Sequence, residues 1–587
     1  MGTLVGTLLV LVTWLVCAVV LILIGLLPAG FLAGRQSLPS VLRSAIWWGL
    51  LTVTLFAYLM NLFQPLRSAT TAGAFITLVV LLAAAGLWLL RGSRLLGSPR
   101  VRRRHFWILW TSLGMAITYL AFAAVGPVTN YDSGLYHLGA IRYAGDFSTI
   151  PGLANLYSAL GYGNAEFPLA ALLGNGPWNG EGFRLLNGLV ISLVVLDLFI
   201  RGRQRRLTAG FFILAVGLVA ALVPMIALAD YWVTSPTQDS TVLLVTLVAV
   251  AYLADALSKS KGWVSDAATV EVLSLMLILL RPTMAVFALA CLLVIVFKAW
   301  RTRPAHASEH WVRAVSLVSV VALVAAVVSA ARDYVLSGWL EYPLSIFHFS
   351  VPWLAADPTP VRLATLGYHR DREHLWQSTD GWSWVGTWFS HLPAQWETYQ
   401  FALMVLAAAL VALSADSRTR ASFRWRRLLL ALFPSAVAIA VWWLLLPPSF
   451  RFIWGPLFAL PATVIGWVLW RFNEQDHHDA VTDRSWLRLT LIALSAPIML
   501  VTVFSLAFRS DLGAAKVDAH WNLGLAIPYA LVPVPTAAVQ ELNLGDGLVI
   551  QQPIDSDQCW GFFPLCTSSP ADGIRLRGQS LQEGFLP

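Results

Sequence analysis

Long uninterrupted runs of apolar residues constrain this chain more than any other feature, because about 17 to 25 such residues match the hydrocarbon thickness of a bilayer. Inside hydrocarbon each segment must satisfy its own backbone N–H and C=O groups, so every run is expected as a helix. Runs lie near 4–29, 41–63, 71–90, 106–126, 181–200, 209–229 and 240–258 in the first half. The second half holds a short pair at 267–280 and 283–298, then 312–331, 399–415, 428–447, 453–470 and 489–508. We therefore expect an all-α polytopic membrane protein of about 14 transmembrane helices. The first run has no basic n-region and is too long for a signal-peptide core, so it is kept as a span. Composition agrees: 58% of the 587 residues are hydrophobic, 12% are charged and the mean hydropathy is +0.70, which excludes disordered, collagen-like and disulfide-framework classes. The net charge of +8 comes from short basic clusters between apolar runs, the pattern of topology signals and not of a nucleic-acid surface.

Basic residues are counted in alternate loops to orient the chain. One set of loops, holding Arg35 and Arg43, the run from Arg91 to Arg104, RGRQRR at 201–206, Lys259 and Lys261, Lys298 to Arg313, Arg418 to Arg427 and Arg471 to Arg488, carries 26 of the 39 basic residues. That set is expected in the cytoplasm, which sends both termini outward. Parity turns on Arg281-Pro282. Two short half-helices broken there, each roughly 21 Å long and unable to cross a core of about 30 Å, keep the flanking basic loops on one side. The break is expected below the outer surface, covered by protein or a wet cavity.

Three outward segments remain, 127–180, 332–398 and the tail 509–587. In the tail, Cys559 and Cys566 of CWGFFPLC lie on the oxidising side by this topology and are expected to form a disulfide, whereas Cys17 and Cys291 lie inside apolar runs as packing residues. In the first segment Asp132 can cap a helix running to about Tyr143, with Asp132, Tyr136, Gly139 and Tyr143 on one face. That face is either an acid among aromatic rings able to act on a hydroxyl or an N-cap beside an interfacial aromatic belt. Asp230 and Asp239 sit in the short loop ADYWVTSPTQDS, where Asp239 reads equally as an N-cap; two carboxylates from separate loops can flank one hydroxyl or share a divalent cation. Arg281 and Arg451, at the outer edge of spans, suit a lipid-linked phosphate or snorkel to headgroups. Trp339, Trp353, Trp376, Trp382, Trp384, Trp388 and Trp396 offer faces for sugar stacking or an interface belt. There is no H-E-x-x-H, P-loop, G-x-S-x-G or strand-linked G-x-G-x-x-G, so soluble nucleotide chemistry is unsupported.

From about residue 106 to the end, YDSGLYHLGAIRY, PGLANLYSALGYGNAEF, SPTQD, LLRPT, SGWLEYP and QCWGFFPLC with RLRGQSLQEGF resemble the GT-C superfamily of integral-membrane glycosyltransferases. Within it they look like one bacterial branch, the LIC_10190-type membrane proteins. The resemblance implies a GT-C-like core at 106–508 with outward loops 127–180 and 332–398, preceded by additional helices at 1–105 and followed by a small extracytoplasmic segment at 509–587. It implies transfer of a hexosyl or pentosyl group from a polyprenyl-phosphate donor to a glycan, lipid or protein acceptor of the cell envelope, on the outer face of the plasma membrane. Asp132 matches the catalytic base of the first outward loop and Asp239 the second-loop acid, while Arg281 and Arg451 fall on the donor-phosphate side. Tyr136, His137 and Arg142, in the same segment as Asp132, are expected on the substrate. Two features depart from the pattern: the catalytic loop follows the fourth helix instead of the first, and it lacks a D-x-D or D-D pair, so no cofactor is fixed and a divalent cation stays open. A polysaccharide-lipid flippase and an O-antigen-type polymerase are the alternative readings.

Overall fold

Backbone satisfaction makes helices of all fourteen runs in a computed structural model of the chain. It describes residues 1–32, 37–91, 106–204, 206–302, 309–371, 381–415, 424–476, 485–509 and 516–587, apart from 523, 525 and 546. The long helices are α1 (Gly2–Phe31), α2 (Leu38–Phe63), α3 (Ala69–Arg91), α4 (Trp107–Ala124), α5 (Leu186–Gly202), α6 (Ala209–Ala227) and α7 (Gln238–Ser258). They continue as α8 (Val264–Leu280), α9 (Ala285–Thr302), α10 (Glu309–Ser337), α11 (Trp396–Ser414), α12 (Trp425–Leu445), α13 (Phe450–Asp476) and α14 (Ser485–Phe508). Among the described residues 12 helices are long and apolar enough to cross a membrane; α5 and α8, at 17 residues each, fall just short. The protein is an all-α polytopic membrane protein in its bulk.

Burial grades the helices. The whole apolar window of α7 is buried, and it packs against α6, α8 and α13, whereas α3 and α11 turn most of theirs outward. Small residues set the closest crossing: a Cβ on Gly49 would lie 1.9 Å from the Leu21 carbonyl oxygen, so α1 and α2 touch backbone to backbone.

The α8–α9 pair corrects one expectation. The chain does break at Arg281, whose backbone is extended (φ −154°, ψ 106°), as the following proline requires. The arms, however, run 17 and 18 residues, about 25 and 27 Å, longer than the expected half-helices. Lys298 near the end of α9 donates to the Lys259 carbonyl at 2.8 Å, just past α7, while Arg281 at the opposite end meets Asp239 in the first turn of α7. Each arm therefore traverses the same thickness as α7, and the hairpin returns the chain to the side it left.

The two ends of the bundle differ. At the Lys259 end, Arg43, Arg201 and Lys259 interlock with Asp197, Asp255 and Asp266, three cations with three anions, five of the six being at least 94% buried. Arg43 and Arg201, counted above as loop charges, are thus interior ion-pair partners that fasten α2 to α5, α7 and α8. At the Asp239 end gather the segments 127–180, 332–398 and the tail. Gly152 N donates to Val335 O (2.9 Å), and Asn179 to the His520 carbonyl (3.0 Å). The described part of the tail holds short strands and no α-helix; its pairs Val517–Asn522 with Ala526–Leu531, Val539–Asn543 with Val549–Pro553, and Arg575–Leu576 with Phe585–Leu586 are antiparallel. A fourth antiparallel pair joins Trp339–Glu341 to Leu344–His348. Cys559 and Cys566 are joined, and Cys17 and Cys291 are free.

Candidate active site

Asp132 stands where the chain re-enters helix after α4, and the first turn there is irregular. Ser133–His137 form a π-turn before the α-helix Leu138–Asp146. A π-turn inserts one residue into the helical register, a device found mostly at functional sites. The insertion rotates the expected face: Tyr143 leaves Asp132 and packs 4.8 Å from Phe563, its hydroxyl accepting from Leu565 N. Asp132 makes no capping hydrogen bond, so its carboxylate is not spent on its own helix. It accepts instead from Arg451 Nη1 at 2.7 Å.

The short second loop carries a second π-turn, Asp230–Thr234. Asp230 is held by Thr129 at 2.8 Å and by Arg509. Asp239 lies in the first turn of α7, where the positive helix end favours an anion, and it pairs with Arg281. Arg281 also donates to the Arg451 carbonyl at 3.2 Å, and the two guanidinium carbons lie 5.3 and 5.0 Å from the Phe452 ring. Two ion pairs from four distant stretches of sequence are thereby linked through the start of α13.

Only one pair is open. Asp132 and Arg451, their side chains 19% and 27% exposed, line a cavity of about 840 Å³. Its other walls come from the helix Thr359–Arg370, the helix Trp384–His391 and the start of α11. Asp239 and Arg281 lie behind this wall, nearly inaccessible, and are not among the lining residues.

Three further expected contacts are placed as follows. Tyr136 is half-buried, its ring 6.1 Å from Tyr162 and 6.0 Å from Phe167. His137 is 1% exposed, and burial holds its imidazole down at about 4, hence neutral. Arg142 points away from the cavity and donates to the Gly561 carbonyl at 2.8 Å, holding the tail. That tail is pressed onto the π-turn: Cys559 N and Trp560 N both donate to Gly134 O, and a Cβ on Gly134 would fall 2.4 Å from the Trp560 ring. Tyr131, on the cavity rim, donates to Asp557 of the tail.

Of the tryptophans, Trp388 lines the cavity, but its indole donates to Pro448 O (2.8 Å) and it packs with Trp442, Trp443 and Phe450. Trp384 is buried against Trp443, Trp339 is buried, and Trp376 lies outside the described residues. Sequence reasoning missed Tyr231, Tyr368, His391 and Glu397, which also line the cavity. Glu397, an acid opening an apolar run in WETYQ, was the one with a readable signal. Asp132 and Asp239 each take a guanidinium, and among the described residues no group of three or more His, Cys, Asp or Glu is placed to hold a metal.

A family model described as "Domain of unknown function (DUF8201)" matches residues 8–458, a stretch that starts within α1 and includes α2, α3 and all four residues of the two ion pairs. No curated protein matches the chain, and no solved structure does.

Proposed function

We propose that this chain, which belongs to the DUF8201 family, is a membrane glycosyltransferase acting on the outer face of the membrane. Its donor is a polyprenyl-phosphate-linked hexose or pentose, and its acceptor a hydroxyl of an envelope glycan, lipid or protein. The observation that carries this reading is an uncapped carboxylate, Asp132, bonded to an arginine, Arg451, on the wall of a cavity of about 840 Å³. That volume falls in the range of small-molecule sites.

The chemistry is a displacement at the anomeric carbon. The acceptor oxygen forms the new glycosidic bond, its proton passes to Asp132, and the bond to the donor phosphate breaks with its electron pair going to the phosphate. Arg451 spends one N–H on Asp132, and the rest of its five-donor fork is available to the leaving phosphate, which it can bind while staying charged. Arg281 acts one step removed: through Asp239 and the Arg451 carbonyl it fixes the start of α13, and with it the guanidinium that reaches the cavity. The charge asymmetry between loops supports placing this end outside.

The test is release of polyprenyl phosphate by the purified protein in sealed proteoliposomes supplied with polyprenyl-phosphate sugars and a pooled glycan acceptor. Donor-dependent release is expected. Movement of intact donor across a sealed bilayer without cleavage would replace this reading with a flippase.

A further inference from the structure

Behind the cavity wall lies a carboxyl group that the mechanism above does not use. Glu166 opens the short helix Glu166–Leu173 and is 0% exposed. Its backbone is pinned on both sides of the cluster: its own N–H bonds Asn164 Oδ1 (2.9 Å), and Ala165 N donates to Leu279 O (2.9 Å) in the last turn of α8. The side chain faces Thr241 and Asp239 on α7, and no donor lies within hydrogen-bond geometry of either carboxylate oxygen. The neighbouring His137, whose ring contacts Phe167 at 5.3 Å, is neutral, so it supplies no charge to balance an ionised Glu166.

The direction of the surrounding hydrogen bonds can be followed atom by atom. Asn187 Nδ2 donates to Ser235 O (3.1 Å) and Thr237 O (3.2 Å), which leaves Asn187 Oδ1 facing Thr241 as an acceptor. Thr241 must therefore spend its single hydroxyl proton on Asn187 Oδ1, at 2.8 Å. What Thr241 presents to Glu166 is a lone pair, and only a protonated carboxyl can bond to that.

We propose that Glu166 is a positioning residue held as the neutral carboxylic acid, donating toward Thr241 and leaving the buried charge to the Asp239–Arg281 pair alone. Burial acts in the same direction, pushing the Glu166 carboxyl up to about 8. The consequence is charge balance. With Glu166 neutral the buried cluster holds one anion and one cation; with Glu166 ionised, a second negative charge would face Asp239 with no cation of its own.

The test uses the full chain in nanodiscs and has two arms. The infrared arm takes the parent-minus-Glu166→Gln difference spectrum at pH 7 and needs no turnover. Loss of one carboxylic-acid C=O stretch is expected, and loss of carboxylate bands instead would overturn the proposal. The second arm rests on the glycosyltransferase reading and compares donor cleavage. Glu166→Gln, still a neutral donor, should stay within about twofold of the parent, while Glu166→Leu, which leaves the Thr241 lone pair without a donor, should fall by about tenfold or more. Equal activity of Glu166→Leu and Glu166→Gln would overturn the positioning role. A parent inactive on every donor would count against the reading of the site, and the infrared comparison would then decide Glu166 on its own.

Discussion

Asp132 shares its charge with Arg451 on a cavity wall, whereas Asp239 and Arg281 share theirs almost out of reach of solvent. Removing one member of a buried pair strands the other, at a cost of roughly 3–5 kcal/mol, while removing both is close to neutral. Arg281→Ala should therefore lower the melting temperature of the detergent-solubilised protein sharply, and Arg281→Ala with Asp239→Asn should recover most of the loss. A double variant no more stable than the single one would show that the pair is not the source of the effect. His137 gives a pH-dependent expectation. Its folded value of about 4 lies below the usual 6.5, so between those values the unfolded chain holds a proton that the folded chain lacks. Stability from this group is complete above pH 6.5 and is lost as pH falls toward 4, by on the order of 3 kcal/mol. The melting-temperature gap between parent and His137→Gln should narrow across that range; a constant gap would refute the assignment. At this scale the sequence marked both acids and both arginines as candidates, because charges at the ends of apolar runs are conspicuous. It could not show that the four pair across the molecule, nor that Glu166 joins them, since an acid in GYGNAEFPLAALLG looks like any helix start.

The helices themselves were legible from hydropathy alone, and their ends fell within a few residues of the apolar runs. Two local features were not. The π-turns at Ser133–His137 and Asp230–Thr234 leave no mark in a 3.6-residue periodicity, so the wheel that put Tyr143 beside Asp132 was rotated away from the real face. The arms of the α8–α9 hairpin were underestimated because polar residues at their Lys259 end, such as Asp266 and Lys298, are buried by ion pairing or backbone bonds instead of ending the span. The corrected hairpin keeps the same parity and makes a sidedness prediction. With the native disulfide intact, Gln579→Cys should be labelled by an impermeant maleimide from outside whole cells. Lys261→Cys should be labelled only after the membrane is opened. The opposite pattern would invert the proposed topology.

On the scale of the whole molecule, an interlocked ion-pair network at one end contrasts with an open cavity and a disulfide-closed tail at the other. The network narrows the basis of loop counting: Arg43 and Arg201 are charge-balanced inside the protein and are poor topology signals, so the expected orientation rests on the remaining basic residues. The tail's strand pairs could not be read from apolar runs, because their strands are short; the segment that follows the second pair docks on the Asp132 segment, through Trp560 on Gly134 and Tyr131 on Asp557. In the proposed reading, this docking, the cavity and the two ion pairs together present one carboxylate, that of Asp132, to an acceptor hydroxyl. The most direct measurement is single-turnover cleavage of a polyprenyl-phosphate sugar by the parent and by Asp132→Asn, matched for melting temperature and donor binding. A loss of about 10² to 10⁴-fold in the chemical step is expected, with donor affinity retained. Cleavage by Asp132→Asn at the parent rate would contradict it.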